Sequence, residues 1–233
     1  MLQAPRELNN VMCLKHKVVA NGCFFAELDD FLSRELSDCG YAGVTVKSDA
    51  AEGYEIVVQA NQTAKVYGEN SVRLASLLTV ICQRFNLSES KVKLFVKKVQ
   101  VHGLSAAIQC EALRYRLQSY VPVRRAAYSI LRSAQEAGAL GCEVIIAGKS
   151  RAQRAKDQKY SSGYILRTGQ PAKDFVQVAT RNLTMPQGVL GITVKIMLPP
   201  HIAGIAQPDV ITINEVKDDV ALPKEIEGAV QAL

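Results

Sequence analysis

The chain has 233 residues, of which 48% are hydrophobic, and its 28 basic and 22 acidic residues give a net charge of +6. This length and composition suit a globular protein with one large or two small domains. No run approaches the roughly 18 consecutive apolar residues of a membrane-spanning helix, and the start of the chain lacks the apolar core of a secretory signal. We therefore expect a cytoplasmic protein without a membrane partner.

The first half predicts the order helix, strand, strand, short helix, tight loop, helix, strand. Apolar residues at helical spacing predict helices over 24–39 and 72–85, and β-branched runs predict strands over 43–49 and 54–61 with a turn around Gly53. A short helical segment over 62–68 leads into the loop. Lysines alternating with apolar residues then predict a strand over 91–101 with one solvent-exposed face.

The second half predicts two helices on a four-stranded, largely antiparallel sheet, and hence an α+β protein. The helices are expected over 104–118 and 122–139, and the strands over 142–148, 164–169, 174–184 and 189–198. Beyond residue 200 the periodicity is lost. Because acidic residues outnumber lysines there, we expect 201–233 to form a flexible acidic tail.

Cysteine and histidine spacing offers no catalytic or metal site. The six cysteines contain no CxxC pair, and two of them, Cys82 and Cys110, fall within apolar helical patterns. The three histidines lie far apart, without carboxylates or cysteines at ligand spacing. We expect reduced cysteines, no bound metal, no cofactor and no catalytic residues.

Charge is concentrated in one segment. Between residues 149 and 173 there are seven basic residues against one acidic residue, Asp157. The cations of 149–159 do not share a helical face, and their spacing favours a hairpin with cations around its tip, which could span the phosphates of a folded RNA. The string GKS at 148–150 is not a phosphate-binding P-loop, because Glu143 occupies the position where that loop needs a glycine.

The order of elements in the first half resembles a type II KH domain, a family that binds single-stranded nucleic acid through a GxxG loop. Here the loop reads GENS and lacks the second glycine. A glycine loop lets the backbone approach phosphate, whereas Ser71 and the anionic Glu69 weaken that contact, so we expect weaker RNA binding by this loop than is normal for the family. The residues assigned to the loop and its flanks are Lys65, Gly68, Glu69, Asn70, Ser71 and Arg73.

Longer strings make the resemblance specific. Together with ELDDFLSRELSDCGYAGVTV, the strings VRRAAYSILRSAQEAGALGCEVIIAGKSRAQRAK and QGVLGITVKIMLP closely resemble the eukaryotic form of the universal small-subunit ribosomal protein S-three family, over residues 15 to 200. The resemblance implies a structural, non-enzymatic protein of the small-subunit head. Its partners would be rRNA, mRNA and neighbouring head proteins. It also implies an N-terminal segment at 1–22, a KH domain at 23–101 and an αβ domain at 102–200.

The same resemblance implies which residues meet RNA. Arg124 and Arg125, with Arg116 nearby, match the family's arginines that face mRNA in the channel through which it enters the subunit. The family's basic hairpin corresponds to AGKSRAQRAK here, which implies rRNA contacts by Lys149, Arg151, Arg154, Lys156 and Lys159.

Other interpretations stay open at this stage. Arg124 and Arg125 could pair with carboxylates on a solvated face, although cations are poorly placed at a helix N-terminus. Tyr115 and Tyr128 could stack on bases, but aromatic residues at helical spacing are more often part of a core. A DNA lyase that attacks abasic sites through a Schiff base on Lys149 is the enzymatic alternative. A free-standing KH regulator is disfavoured, because it would depend on the altered loop.

Overall fold

A computed structural model of the chain describes residues 14–49, 53–150, 153–199 and 213. These residues form two sheets, each covered by helices. The helices are α1 (Leu14–Glu35), α2 (Thr63–Tyr67), α3 (Val72–Phe85), α4 (Ala106–Gln118), α5 (Val123–Glu136) and α6 (Gly169–Phe175). The strands are β1 (Tyr41–Asp49), β2 (Gly53–Ala60), β3 (Val92–Lys98), β4 (Gly141–Gly148), β5 (Lys156–Gly163), β6 (Val176–Met185) and β7 (Gly188–Met197).

The first half forms a three-stranded sheet in the order β1-β2-β3. β1 and β2 pair antiparallel, whereas β2 and β3 run parallel with Ile56 opposite Leu94. The apolar faces of α1 and α3 bury Leu28, Leu32 and Ile81 against this sheet. The element order is the one expected from sequence. The alternation in β3 is also as predicted, because Val92 and Leu94 are buried while the intervening Lys93 is exposed.

The second half forms an antiparallel sheet in the order β5-β4-β7-β6. Alternate residues of β4 and β7, among them Val144 and Val194, lie in one core with the apolar faces of α4 and α5. On α5 this buried face includes Ala127, Ile130 and Ala134. The predicted α+β class, with two helices on a four-stranded antiparallel sheet, is confirmed.

The second strand of this sheet was placed wrongly. The sequence predicts it over 164–169, but the structure forms β5 at Lys156–Gly163, and α6 begins at Gly169. β5 lies at the edge of the sheet and contains no β-branched residue, so it lacks the apolar alternation on which strand prediction depends. The strand ends at Gly163, where an added Cβ would lie 2.3 Å from the carbonyl oxygen of Leu140.

Two other boundaries differ from prediction. α1 begins at Leu14, ten residues before the predicted start. The prediction missed these residues because the turns between 15 and 23 are mostly exposed and carry no amphipathic pattern. The predicted junction between residues 22 and 23 therefore falls inside a helix. β6 begins at Val176 rather than 174, since α6 extends to Phe175. The domain limits themselves stay predictions, and the predicted acidic tail lies outside the described residues except for Ile213.

Four cysteines, Cys39, Cys82, Cys110 and Cys142, are buried, and Cys23 is exposed. Burial raises the pKa of the Cys110 thiol and of the Cys142 thiol to about 12. All five are free thiols. Across the part of the chain that the structure describes, no helix is both long enough and apolar enough to cross a membrane.

Candidate nucleic-acid interface

Arg124 and Arg125 lie in the first turn of α5, directly after Pro122. Both side chains are exposed, because the opposite face of the helix packs on the sheet through Ala126 and Ala127. The first turn contains no acidic residue, and neither arginine forms an ion pair with any described residue. The helix dipole places further positive potential at this end. The result is a concentration of positive charge that could receive an anion.

An aromatic series runs from this helix end to the neighbouring hairpin. The guanidinium carbon of Arg124 lies 5.6 Å from the centre of the Tyr128 ring. Tyr128 meets Tyr160 of β5 edge-to-face, with 5.7 Å between the ring centres. The Tyr160 hydroxyl donates a hydrogen bond of 2.9 Å to the side-chain oxygen of Gln158, whose amide nitrogen lies 2.8 Å from Ser150 Oγ. These contacts hold the helix end and the hairpin as one surface.

The hairpin itself is built by β4 and β5, which pair from Gly141 opposite Gly163 to Gly148 opposite Lys156. The described cations of the predicted rRNA site are all exposed: Lys149, Arg154, Lys156 and Lys159. Arg151 lies outside the described residues. Because side chains alternate along a strand, Lys156 shares a face with Tyr160, whereas Lys159 lies on the opposite face. A hairpin is present as predicted, but Lys156 and Lys159 lie within β5 instead of at its tip, on opposite faces of the strand.

Arg116 occupies a more enclosed position than its predicted partners. It lies in the last turn of α4, is partly buried, and donates a hydrogen bond to the hydroxyl oxygen of Ser129 on α5. That hydroxyl donates in turn to the carbonyl oxygen of Ala126 at 2.7 Å. Arg116 thus connects the end of α4 to the beginning of α5, beneath the two exposed arginines.

The loop between α2 and α3 has an unusual backbone. Asn70 and Ser71 both adopt positive φ, at 51° and 62°, where side chains other than glycine are rare. Gly68 also has positive φ, and a Cβ there would lie 2.9 Å from Cβ of Arg73. The loop residues Gly68, Glu69, Asn70 and Ser71 and the neighbouring Lys65 are exposed.

Arg73, assigned to the same loop, is engaged within the fold. Its guanidinium donates hydrogen bonds to the carbonyl oxygen of Glu35 at 2.8 Å and to that of Lys65 at 3.2 Å, and contacts Cys39 Sγ at 3.5 Å. These bonds satisfy carbonyl groups near the ends of α1 and α2. Residue spacing contains no signal for this role, because Glu35 is 38 positions away from Arg73.

A cleft between the two halves also escaped the sequence reasoning. Arg181 of β6 donates to Glu111 Oε1 at 2.6 Å and to Ser33 Oγ of α1 at 2.8 Å. Arg114 occupies the other oxygen of Glu111 at 3.3 Å. The cleft has a volume of about 440 Å³ and is lined by these residues with Asp30, Arg34, Ser37, Thr180 and Asn182. Its carboxylates already form ion pairs with arginines, so we interpret the cleft as a polar contact between the two halves and not as a ligand site.

Lys149, the lysine of the lyase alternative, is exposed, and among the described residues no carboxylate forms a hydrogen bond or ion pair with it. A lysine that forms a Schiff base is usually activated in a desolvated pocket or by a close cationic neighbour. Because Lys149 is exposed, the geometry supports RNA contact better.

Comparison with known proteins decides the family. The family described as "Ribosomal protein S3, C-terminal domain" matches residues 113–196. The small ribosomal subunit protein uS3 of Candida albicans is 46% identical over 215 residues, which cover 91% of this chain and 85% of the relative. This chain belongs to the uS3 family. The uS3 proteins of Schizosaccharomyces pombe and Saccharomyces cerevisiae are 45% and 42% identical over 212 and 208 residues, covering 90% and 88% of this chain and 85% and 86% of the relatives.

Membership of the uS3 family confirms the resemblance inferred from sequence. The matched C-terminal region, 113–196, contains Arg116, the arginine pair of α5 and the whole β4–β5 hairpin. The altered loop between α2 and α3 lies outside that region.

Proposed function

We propose that this chain is a structural constituent of the small ribosomal subunit and works in the cytoplasm as part of the head of that subunit. The names of its relatives, all small ribosomal subunit protein uS3, support this assignment. Its role there is to bind rRNA and mRNA and to contact neighbouring head proteins. It needs no catalytic activity for this role.

The observation that carries the proposal is the contact series from Arg124 through Tyr128 to Tyr160. It joins exposed cations on a helix to exposed cations on a hairpin, although the two groups are separated in sequence. A surface of this kind suits RNA, because phosphates are bound by cations held at fixed positions on a rigid support.

Within this surface the two parts have different tasks. β4 and β5 are neighbouring strands of the sheet. On β5 and the link that precedes it, the basic residues that contact rRNA and anchor the protein in the subunit are Lys149, Arg151, Arg154, Lys156 and Lys159. Arg124 and Arg125 stay available to mRNA, and Arg116 positions the helix end that carries them. The α2–α3 loop contributes less, because Glu69 opposes phosphate and Lys65 is the described cation left exposed beside it.

The test of anchoring is incorporation into subunits. An epitope-tagged full chain with Lys149, Arg151, Arg154 and Lys156 changed to alanine should be lost from the small-subunit fractions of a sucrose gradient, while the tagged parent sediments with them. A matched control replaces Lys91, Lys93, Lys97 and Lys98, which lie on or next to β3 away from the hairpin. Normal sedimentation of the hairpin variant would contradict the rRNA role, and so would equal loss of the control.

A further inference from the structure

Tyr120 occupies the connection between α4 and α5, four residues before Arg124. Its side chain is 73% exposed. Its hydroxyl makes no hydrogen bond and its ring no aromatic contact with any residue that the structure describes. The backbone at this position has φ of 58°, in the left-handed region. A large aromatic side chain is a rare occupant of this conformation, which glycine adopts without strain.

Stability does not account for a tyrosine here. The exposed ring contributes almost nothing to the core, and the backbone conformation is strained for any residue with a Cβ. Strained residues persist where the surrounding structure fixes them, and they cluster at functional sites. The end of α4 explains this backbone conformation, which is usual just after a helix C-cap, but it gives no reason for an exposed tyrosine ring in place of glycine.

The turn that carries Tyr120 is fixed on both sides. The amide of Tyr120 donates to the carbonyl oxygen of Leu117 at 3.0 Å, and the amide of Val121 donates to that of Arg116 at 3.2 Å. Pro122 follows and restricts the chain before α5 begins. Four residues span at most about 14 Å, so the Cα of Tyr120 lies within that distance of the Cα of Arg124. That distance would let an RNA strand bound by Arg124 and Arg125 also reach the turn that carries Tyr120.

We propose that Tyr120 stacks on a base of the single-stranded RNA whose phosphates bind Arg124 and Arg125. This inference rests on the proposed function and adds to it a contact with the bases. Arginines hold the backbone, which carries no base identity, whereas an exposed ring on a rigid turn offers a face to any of the four bases. The contact increases retention of the strand with little preference for sequence.

The test compares two ligands on the full chain. One is a short fluorescein-labelled oligouridine, and the other is an abasic ribose-phosphate oligomer of the same length and charge. Tyr120→Gly should weaken oligouridine binding by roughly fivefold or more and leave the abasic oligomer unaffected, since stacking needs a base. The same variant should have a higher Tm, because glycine relieves the strain. Tyr120→Phe, which keeps the ring, should bind both ligands as the parent does.

Unchanged oligouridine binding by Tyr120→Gly would overturn the inference. An equal loss for both ligands would also overturn it, because the ring would then act only through the shape of the turn. Arg124→Ala with Arg125→Ala should weaken both ligands alike. If that double variant has no effect while Tyr120→Gly does, the arginine site is wrong and the stacking role stands.

A second readout reports the contact directly. The chain contains no tryptophan, so Tyr120→Trp introduces a single indole whose fluorescence is specific to this turn. Oligouridine should quench this emission and the abasic oligomer should not. Equal emission with both ligands would contradict stacking.

Discussion

Nε of Arg181 lies 2.6 Å from Oε1 of Glu111, and this pair holds the guanidinium that reaches from the second half of the molecule to the first. Arg181 belongs to β6 and Glu111 to α4, while a second nitrogen of the same guanidinium reaches Ser33 on α1 at 2.8 Å. Glu111 is only 9% exposed, and Arg114 occupies its other oxygen. One buried carboxylate thus holds two cations at the junction.

Removing Arg181 should weaken both the fold and the junction. The Arg181→Ala variant leaves the Glu111 carboxylate with one partner in a largely buried site, and a hydrogen bond to a charged group is lost. We expect the free energy of unfolding to fall by about 2 kcal/mol, measured by urea denaturation. Amide exchange on α1 should also accelerate, because Ser33 loses its contact with β6.

The matched control is Arg34→Ala at the edge of the same cleft. Arg34 pairs with Asp30 at 2.7 Å, but the two side chains are 77% and 63% exposed. Such a surface pair contributes less than about 1 kcal/mol. If both variants lose the same stability, the Arg181 pair has no special role at the junction.

The loop between α2 and α3 carries strain that a single change should relieve. Ser71 has φ of 62°, so Ser71→Gly should raise the free energy of unfolding by about 1 kcal/mol. Ser76→Gly is the control, since Ser76 lies inside α3, where glycine lowers helix stability. The two substitutions should shift the urea midpoint in opposite directions. A loss of stability in Ser71→Gly would contradict the inference that the backbone at Ser71 is strained.

Restoring the loop should also restore binding. Asn70→Lys combined with Ser71→Gly adds one cation and one glycine, so the full chain should bind single-stranded RNA more tightly. One added phosphate contact steepens the dependence of log K on log salt by about 0.7. Ser71→Gly alone separates backbone freedom from charge. An unchanged affinity and salt slope would mean that this loop does not touch phosphate.

Stability should fall at high pH because of the buried thiols. Burial raises the pKa of the Cys110 and Cys142 thiols to about 12, whereas an unfolded cysteine titrates near 8.5. Between these values the unfolded state binds fewer protons than the folded state, so the free energy of unfolding decreases as pH rises. Compared with the parent, Cys142→Ala should show a shallower decrease between about pH 8.5 and 12, measured by urea denaturation.

The exposed Cys23 provides a control for the loss of a thiol as such, because Cys23→Ala removes a thiol outside the core. An identical slope for the parent and Cys142→Ala would show that the thiol does not contribute to the alkaline loss of stability.

The spacing of apolar residues was sufficient to predict those elements whose apolar side chains are buried on one face. The spacing of Leu77, Ile81 and Phe85 predicted α3, whose observed bounds match, because these side chains are buried on one face. The prediction of β5 failed because this strand has no such apolar spacing. Its hydrophilic residues take part in an edge strand whose partner, β4, supplies most of the apolar pattern.

The site was predicted in its parts but not in its connections. The arginine pair and the basic hairpin were found from charge and resemblance. Their link through Tyr128 and Tyr160 was not, because an edge-to-face contact across 32 positions leaves no periodic signal. Arg73 was assigned to RNA, whereas its bonds to Glu35 and Lys65 depend on how three helices meet. Positive φ at Tyr120 could not be read from sequence either, since tyrosine gives no turn signal.

Anchoring in the subunit and contact with mRNA are assigned to different residues of the same surface, so the two can be separated by mutation. Arg124→Ala with Arg125→Ala should leave incorporation into small subunits nearly intact, because the hairpin is unchanged. The deciding measurement is the rate at which mRNA dissociates from those subunits as a function of salt. Two lost contacts at about 0.7 each should reduce the salt slope by about 1.4 and speed dissociation equally for different sequences. Normal incorporation with an unchanged rate and slope would contradict the mRNA role of this pair.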